Sequence, residues 1–166
     1  DRVRRLEEPA ARFYASCVVS AFEYMHSRNV IYRDLKPENV VIASNGYIKV
    51  VDFGLSKVLS GWKTWTMCGT PAYLAPELAT PTDAHKGYLG RPVDMWAFGG
   101  VVYEMLHGKL AFMSLETFAL EAMVRCHSPS SPAAITPHAP QVFFNMCFFK
   151  LEVFQLVSVF NLCEFF

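Results

Sequence analysis

The chain has 166 residues, with 15 Lys and Arg against 15 Asp and Glu, so its formal net charge is zero. This balance excludes a strong electrostatic attraction to nucleic acid or to an anionic membrane. Apolar residues make up 52% of the sequence, which excludes a disordered chain and allows a sizeable core. The five cysteines lack CxxC spacing, so we expect a cytoplasmic or nuclear location and neither a disulfide framework nor a zinc ribbon.

The first predicted element is a helix over residues 9–27. Pro9 suits the first turn of a helix, and Glu7 and Glu8 lie at the end where the helix dipole favours acids. Apolar and small residues recur every three or four positions through this segment. The pattern indicates an amphipathic helix with one face in a core.

A short strand at 30–32 and a β-hairpin follow this helix. The hairpin strands, 40–42 and 47–51, flank Asn45-Gly46, whose residues tolerate the positive φ angles of a tight turn. This pairing predicts a small antiparallel unit directly after the helix.

The last predicted element is a helix at 93–106. Its residues are apolar almost all round, which is typical of a buried helix, and Gly108 can end it. Two helices around a small hairpin predict an α+β fold in which helices dominate.

The residues on either side of the hairpin carry the chemistry. Tyr32-Arg-Asp-Leu-Lys-Pro-Glu-Asn39 precedes it, and Asp52-Phe-Gly54 directly follows it. Acidic and amide oxygens on such loops suit Mg²⁺ bound with phosphates. Asp34 and Lys36 could place a carboxylate beside a substrate hydroxyl and an ammonium beside a transferring phosphoryl group. Taken singly, Asp52-Phe-Gly54 is more often a plain turn and Asp34 a solvated acid, but their order and spacing together favour the chemical interpretation.

In this combination the chain resembles the large (C-terminal) lobe of a eukaryotic protein kinase over about residues 1–112. Lys63-Thr-Trp-Thr-Met-Cys-Gly-Thr-Pro71 and Tyr73-Leu-Ala-Pro-Glu77 are similar to the AGC group, and within it to the cyclic-nucleotide-dependent kinases. The resemblance implies an α+β, mainly helical, truncated lobe without the small lobe.

The resemblance implies roles for the loop residues. Asp34 would orient the substrate hydroxyl, and Lys36 would steady the γ-phosphate of ATP. Asn39 and Asp52 would hold Mg²⁺.

Thr66 matches the activation-loop phosphosite of the family. Arg33 and Lys57 could clamp a phosphate on it and so order the loop. The alternative is an ordinary loop threonine.

The resemblance also implies residues that bind the protein substrate. Glu38 and Glu104 match an acidic pair that receives an arginine two residues before the target hydroxyl, although Glu104 could instead be a surface charge. Thr70 matches a threonine that bonds the catalytic Asp and Lys and favours a hydroxyl substrate. An apolar pocket for the residue after the phosphoacceptor would be lined by Met67, Pro71 and Leu74. Simple packing of the loop is the alternative for these apolar residues.

Three further residues match structural positions of the family. Asp94 and Trp96 match the buried helix, on which Asp94 would anchor the catalytic loop. Glu77 matches a glutamate that pairs with an arginine roughly 70 residues downstream, yet no arginine follows Arg125.

The composition changes after the part that resembles a kinase. Residues 113–140 are unrecognised and contain a Pro/Ser-rich linker, and residues 141–166 form a Phe-rich apolar tail. The tail could be a core element, a membrane-surface segment or non-native sequence. Its longest uncharged run, Val153–Cys163, is too short to span a membrane, and we expect no membrane partner.

Two functions follow from the resemblance. The first is a serine/threonine protein kinase fragment, whose intact form would use ATP and Mg²⁺ to phosphorylate proteins with basic residues before the target. A regulatory subunit or a cyclic-nucleotide-binding domain would lie outside this chain. The alternative is a catalytically dead, truncated kinase-like module that binds substrates or partners, which the missing Gly-rich phosphate loop favours.

Overall fold

The computed structural model describes residues 5–61, 63–75, 78 and 87–111. The chain divides into two units, Asp1–Glu121 and Ala122–Phe166, and all described residues lie in the first. The predictions for Glu77, for residues 113–140 and for the tail therefore fall outside the described residues.

Helix α1 spans Glu8–Ser27, close to the predicted 9–27, with Pro9 in its first turn. The periodic apolar positions form its buried face, as predicted. That face also includes one polar side chain, and it consists of Ala11, Ala15, Val18, Phe22, Met25 and His26.

Among the described residues, the strands pair as three separate two-stranded antiparallel ladders. Strand β1 (Val30–Ile31) pairs with β4 (Lys57–Val58), β2 (Val40–Ile42) with β3 (Ile48–Val50), and β5 (Lys63–Thr64) with β6 (Tyr88–Leu89). Single-turn 3₁₀ helices occupy Pro37–Asn39 and Pro71–Tyr73.

The predicted hairpin forms between β2 and β3, but its turn differs from the expected tight Asn-Gly turn. Five residues, 43–47, connect the strands, and the Ala43 amide donates to the Tyr47 carbonyl at 2.8 Å. Gly46 has a φ of 83°, whereas Asn45 is not among the described residues with a positive φ. The Asn45 side chain instead accepts the Tyr47 amide, so its polarity and not its backbone freedom shapes the turn.

Helix α2 spans Gly90–His107, begins three residues before the predicted start and ends at Gly108, whose φ is 68°. A β-carbon at Gly90 would lie 2.5 Å from Ile31 Cγ2, so glycine allows the helix to begin directly against β1. The helix packs against α1, and half of its residues are buried. The described part thus has the mixed helix and strand content that the sequence predicts.

Among the described residues, no helix combines the length and the apolar character needed to cross a membrane.

Candidate active site

The loop after β1 is tied to α2 by one buried carboxylate. Asp94 is fully buried, and its Oδ2 and Oδ1 accept the backbone amides of Tyr32 at 2.9 Å and Arg33 at 2.7 Å. Its Oδ2 also lies 2.7 Å from His26 Nε2 on α1. A single side chain therefore joins both helices to the start of the loop, which is the position that the sequence predicts for an anchor.

Arg33 needs these bonds because its backbone is strained. Its φ of 70° lies in the left-handed region, which costs a residue other than glycine about 1–3 kcal/mol. Its amide is held by Asp94, and its Nε donates to the Leu55 carbonyl at 2.7 Å. Hydrogen bonds from its backbone amide and from its side chain therefore hold Arg33 in this conformation, directly before Asp34, the residue predicted to be catalytic.

Asp34 is the centre of a hydrogen-bond network, and it is 7% exposed. The Thr70 hydroxyl donates to Asp34 Oδ1 at 2.6 Å, and Lys36 Nζ and Asn39 Nδ2 donate to Oδ2 at 2.9 and 3.0 Å. Lys36 Nζ also donates to Thr70 Oγ1 at 3.0 Å. The structure thus brings these four predicted site residues together, although Thr70 lies 36 positions after Asp34.

This network controls the charge of both ionisable groups. Burial would raise the pKa of the Asp34 carboxyl, but the hydrogen bonds from Thr70 and Lys36 and the Lys36 charge lower that pKa below its usual value. The hydrogen bond to Asp34 and the nearby carboxylates raise the pKa of Lys36. At neutral pH the pair is therefore a carboxylate and an ammonium.

Asn39 and Asp52 are brought close by the β2–β3 ladder. Asn39 is buried, and its carbonyl accepts the amide of Val51, the residue before Asp52, at 2.9 Å. The hydroxyl of Tyr32 donates to the Val51 carbonyl at 2.5 Å, and burial raises its pKa to about 12. Asp52 itself is exposed and has a φ of 61°, with its Oδ1 accepting the Gly54 amide at 3.1 Å.

The donors near Asp52 fit a hard cation shared with phosphates. Within the described ranges, no three His, Cys, Asp or Glu side chains cluster as a metal cage. An exposed Asp52 carboxylate and an Asn39 amide oxygen are instead the small oxygen set with which proteins hold Mg²⁺ on a phosphate ligand.

The segment with Thr66 is exposed, and each predicted clamp residue contacts a group close to it along the chain or across the hydrogen bond to Tyr88. The Thr66 carbonyl accepts the Tyr88 hydroxyl at 2.6 Å. Arg33 Nη1 lies 3.5 Å from that same hydroxyl, and Lys57 Nζ donates to Thr64 Oγ1 at 3.0 Å. Lys57 therefore bonds a residue two positions before Thr66, and Arg33 lies beside the hydroxyl that bonds the Thr66 carbonyl.

One of the two predicted substrate acids, Glu104, bonds a tyrosine. The Tyr73 hydroxyl donates to Glu104 Oε2 at 2.5 Å. The pKa of Tyr73 is raised by burial, by this bond and by the charges of Glu104 and Glu38. Glu38 is exposed on its 3₁₀ turn, so one acid is engaged and the other is open to solvent.

The predicted apolar pocket residues differ in exposure. Met67 is 73% exposed and Pro71 is also exposed. Leu74 and Trp96 are partly buried and pack against a small core cluster formed by Ala75, Leu78, Tyr88 and Val93. Trp96 therefore has the structural position expected of it, while a pocket that joins Met67 to Leu74 stays a prediction.

Three residues of this site were not predicted: His26, Tyr73 and Tyr88. His26 lies on the periodic apolar face of α1, where a polar residue signals a buried partner. No such signal marks Tyr73 or Tyr88, because their hydrogen-bond partners are distant in sequence. Tyr73 lies in a three-residue 3₁₀ turn and Tyr88 in a two-residue strand, both too short for a periodic pattern.

Comparison with known proteins identifies the family. The protein kinase domain matches residues 1–143. The chain belongs to the protein kinase domain family. The AGC-type motifs named from the sequence agree with its relatives, so that resemblance is confirmed.

Several relatives are serine/threonine or cGMP-dependent kinases by name. RAC-beta serine/threonine-protein kinase B of Xenopus laevis is 42% identical over 147 residues, which are 87% of this chain and 29% of that protein. The cGMP-dependent protein kinase, isozyme 1, of Drosophila melanogaster is 50% identical over 107 residues, 64% of this chain and 13% of that protein. Rat cGMP-dependent protein kinase 2 is 47% identical over 111 residues, 66% of this chain and 14% of that protein. The chain therefore spans less than a third of the length of these relatives.

Proposed function

We propose that the chain carries the catalytic-loop part, or large lobe, of a serine/threonine protein kinase. The complete enzyme would transfer the γ-phosphoryl group of ATP to a protein hydroxyl. The observation that carries this proposal is the network in which the Asp34 carboxylate receives the Thr70 hydroxyl, the Lys36 ammonium and the Asn39 amide.

Asp34 is suited to align a hydroxyl group. Its lowered pKa keeps it a carboxylate at neutral pH, and its contact with Thr70 shows that Oδ1 accepts an aliphatic hydroxyl at 2.6 Å. A carboxylate of low basicity orients the hydroxyl and takes its proton only as the oxygen loses electron density to phosphorus. Asp34 would thus act mainly by positioning, which is the main requirement of phosphoryl transfer.

Lys36 supplies a permanent positive charge next to this acceptor. Its Nζ contacts both Asp34 and Thr70, and its raised pKa keeps it charged. An ammonium in this position would stabilise negative charge on phosphoryl oxygens.

Asn39 and Asp52 are the residues proposed to hold Mg²⁺ with the phosphates of ATP. Mg²⁺ with ATP, when bound, supplies the phosphoryl group and offsets the charge on its oxygens. The exposed Asp52 carboxylate and Asn39 lie on either side of the β2–β3 hairpin, and the Val51 amide bonds the Asn39 carbonyl, so one hairpin positions both donors.

Glu38 and Glu104 are proposed to select substrates with an arginine before the target hydroxyl. Glu104 bonds the Tyr73 hydroxyl, and the charge of Glu38 also raises the pKa of Tyr73, which supports a shared acidic site. A guanidinium can bond two carboxylates at once, which makes such a pair selective for arginine. Pro71, Leu74 and Met67 remain proposed contacts for the residue after the target.

Thr66 is proposed to be a phosphorylation site read by Arg33 and Lys57. Its exposure makes it accessible, Lys57 bonds Thr64 two positions before it, and Arg33 lies beside the Tyr88 hydroxyl that bonds its carbonyl. The cGMP-dependent relatives favour a regulatory domain or subunit outside this chain, and the cysteine spacing favours a cytoplasmic or nuclear location.

The test is phosphate transfer by the longest naturally expressed protein that contains this chain. We expect ATP-dependent phosphorylation of a serine peptide with arginine at the second position before the serine. Asp34→Asn should lower the rate by roughly 100-fold or more, while Glu23→Gln, at an exposed acid of α1, should not change it. Peptide binding without any turnover would instead support the non-catalytic module.

A further inference from the structure

One buried tyrosine outside the Asp34 network holds the segment that contains Thr66. Tyr88 is 8% exposed, and its ring belongs to the core cluster with Ala75, Leu78 and Val93. Its hydroxyl donates to the Thr66 carbonyl at 2.6 Å and faces Arg33 Nη1 at 3.5 Å. The hydroxyl thus connects the core with the segment and with Arg33, one of the two predicted clamp residues.

A residue paired with Tyr88 also bonds Lys57, the second predicted clamp residue. Tyr88 pairs with Thr64 in the β5–β6 ladder, and Thr64 Oγ1 accepts Lys57 Nζ at 3.0 Å. The residue before Tyr88 is Gly87, where a β-carbon would lie 2.9 Å from the ring of Trp65. The segment therefore rests directly on the short stretch that ends in Tyr88.

The Tyr88 hydroxyl can serve both contacts at once. A phenol has one proton to donate and lone pairs to accept, so it can give its proton to the Thr66 carbonyl and accept from Arg33. Burial raises the pKa of Tyr88, which keeps that proton in place at neutral pH.

We propose that Tyr88 is a positioning residue for control of this kinase: its hydroxyl holds the Thr66 backbone within reach of Arg33 and Lys57 before any phosphate is attached. A phosphate on Thr66 then strengthens an arrangement that already exists instead of creating it. This inference rests on the proposed function, because it takes Thr66 as the phosphosite.

The chain provides its own reporter for this contact. Cys68 lies two residues after Thr66, and Cys17 lies on α1, and both are partly buried free thiols. Alkylation of the full chain by iodoacetamide, followed by mass spectrometry of the peptides, measures the rate at Cys68 relative to Cys17. We expect Tyr88→Phe to raise this ratio by roughly five-fold, as one lost hydrogen bond implies.

A matched control separates the hydroxyl contact from general packing. Tyr103 is a buried tyrosine of α2 whose ring stacks on His107, and Tyr103→Phe should leave the ratio unchanged. An unchanged ratio in Tyr88→Phe would overturn the inference. So would an equal acceleration at Cys17, because the hydroxyl would then support the whole fold and not this segment.

The link to phosphorylation is tested by Thr66→Glu against the uncharged Thr66→Gln. The glutamate should slow Cys68 labelling through Arg33 and Lys57, and this slowing should fall at least about two-fold in the Tyr88→Phe background. Equal slowing in both backgrounds would contradict the positioning role. If Lys57→Gln does not change the slowing of Cys68 labelling by Thr66→Glu, the phosphate clamp of the proposed function is contradicted. Tyr88→Phe alone would still decide whether Tyr88 holds the segment.

Discussion

Two loops of this chain meet where Thr70 contacts Asp34, and they are held in different ways. In the Asp34 loop, the side chains of Tyr32, Asp34 and Asn39 are buried, and fixed partners bind them on several sides. In the segment 65–67 the residues are exposed, and the Thr66 carbonyl accepts a hydrogen bond from the core residue Tyr88.

This difference suits the Asp34 loop to the chemical step and the Thr66 segment to regulation. A network that binds Asp34 from three sides keeps the acceptor in place with no ligand bound, as positioning requires. A segment whose residues are exposed lies closer to the threshold of order, where one added charge can shift its population. The first loop should therefore respond to mutation in global stability, and the second in local opening.

The largest expected effect comes from the anchor of the first loop. Asp94→Ala removes the acceptor of two backbone amides and the partner of His26, so we expect a loss of about 3–5 kcal/mol in the free energy of unfolding. Urea denaturation followed by tryptophan fluorescence measures it, with Glu23→Ala as an exposed control. A loss below about 1 kcal/mol would mean that the loop is ordered without Asp94.

The second effect lies at the point where the two loops touch. Gly69 has a φ of 123°, and a β-carbon there would lie 2.9 Å from the Arg33 carbonyl. Gly69→Ala should therefore cost about 2 kcal/mol, because the backbone strain and the clash add together. Gly46→Ala is the matched control, since Gly46 also has a positive φ, of 83°, but a β-carbon there meets nothing within 4 Å. Equal stability of the two variants would show that the loops are not in contact.

The third effect concerns charge in the Asp34 network. Thr70→Val keeps the shape but removes the hydroxyl that donates to Asp34, so stability should fall by about 1 kcal/mol and the Asp34 pKa should rise. Since the folded pKa of Asp34 is lowered, its contribution is present above about pH 4 and is lost as the pH falls through the folded value.

NMR titration of the Asp34 carboxyl carbon checks this prediction, and urea denaturation at several pH values gives the stability. Thr64→Val, at a buried threonine bonded to Lys57 instead, is the control and should leave the Asp34 pKa unchanged. If the Asp34 pKa is unchanged in Thr70→Val, Lys36 and Asn39 alone lower that pKa.

The sequence predicted what depends on local pattern. The period of apolar residues located α1 within one residue, and the Asn45-Gly46 pair located the hairpin although its loop is longer than expected. Asp94 and its anchoring contact followed from a family resemblance and not from periodicity. Its bond to the Tyr32 amide spans 62 positions, which no local pattern encodes.

The rest depends on contacts between distant residues. The ladders β1–β4 and β5–β6 contain two residues per strand, too few for an alternating pattern. The partners of Tyr88 could not be predicted from the sequence either, because each lies on a separate loop. Sequence reasoning therefore located the residues of the candidate site better than the side chains that support them.

The smallest expected effect lies in the exposed segment and completes the contrast. Thr66→Glu places a carboxylate near Arg33 and Lys57, but an exposed ion pair contributes less than about 1 kcal/mol to global stability. Urea midpoints of Thr66→Glu and Thr66→Gln should thus differ only slightly, and the difference should shrink at high salt because mobile ions screen exposed charges. A gain of several kcal/mol that resists salt would mean that this segment is already as buried and rigid as the Asp34 loop, and the division between chemistry and control would then be wrong.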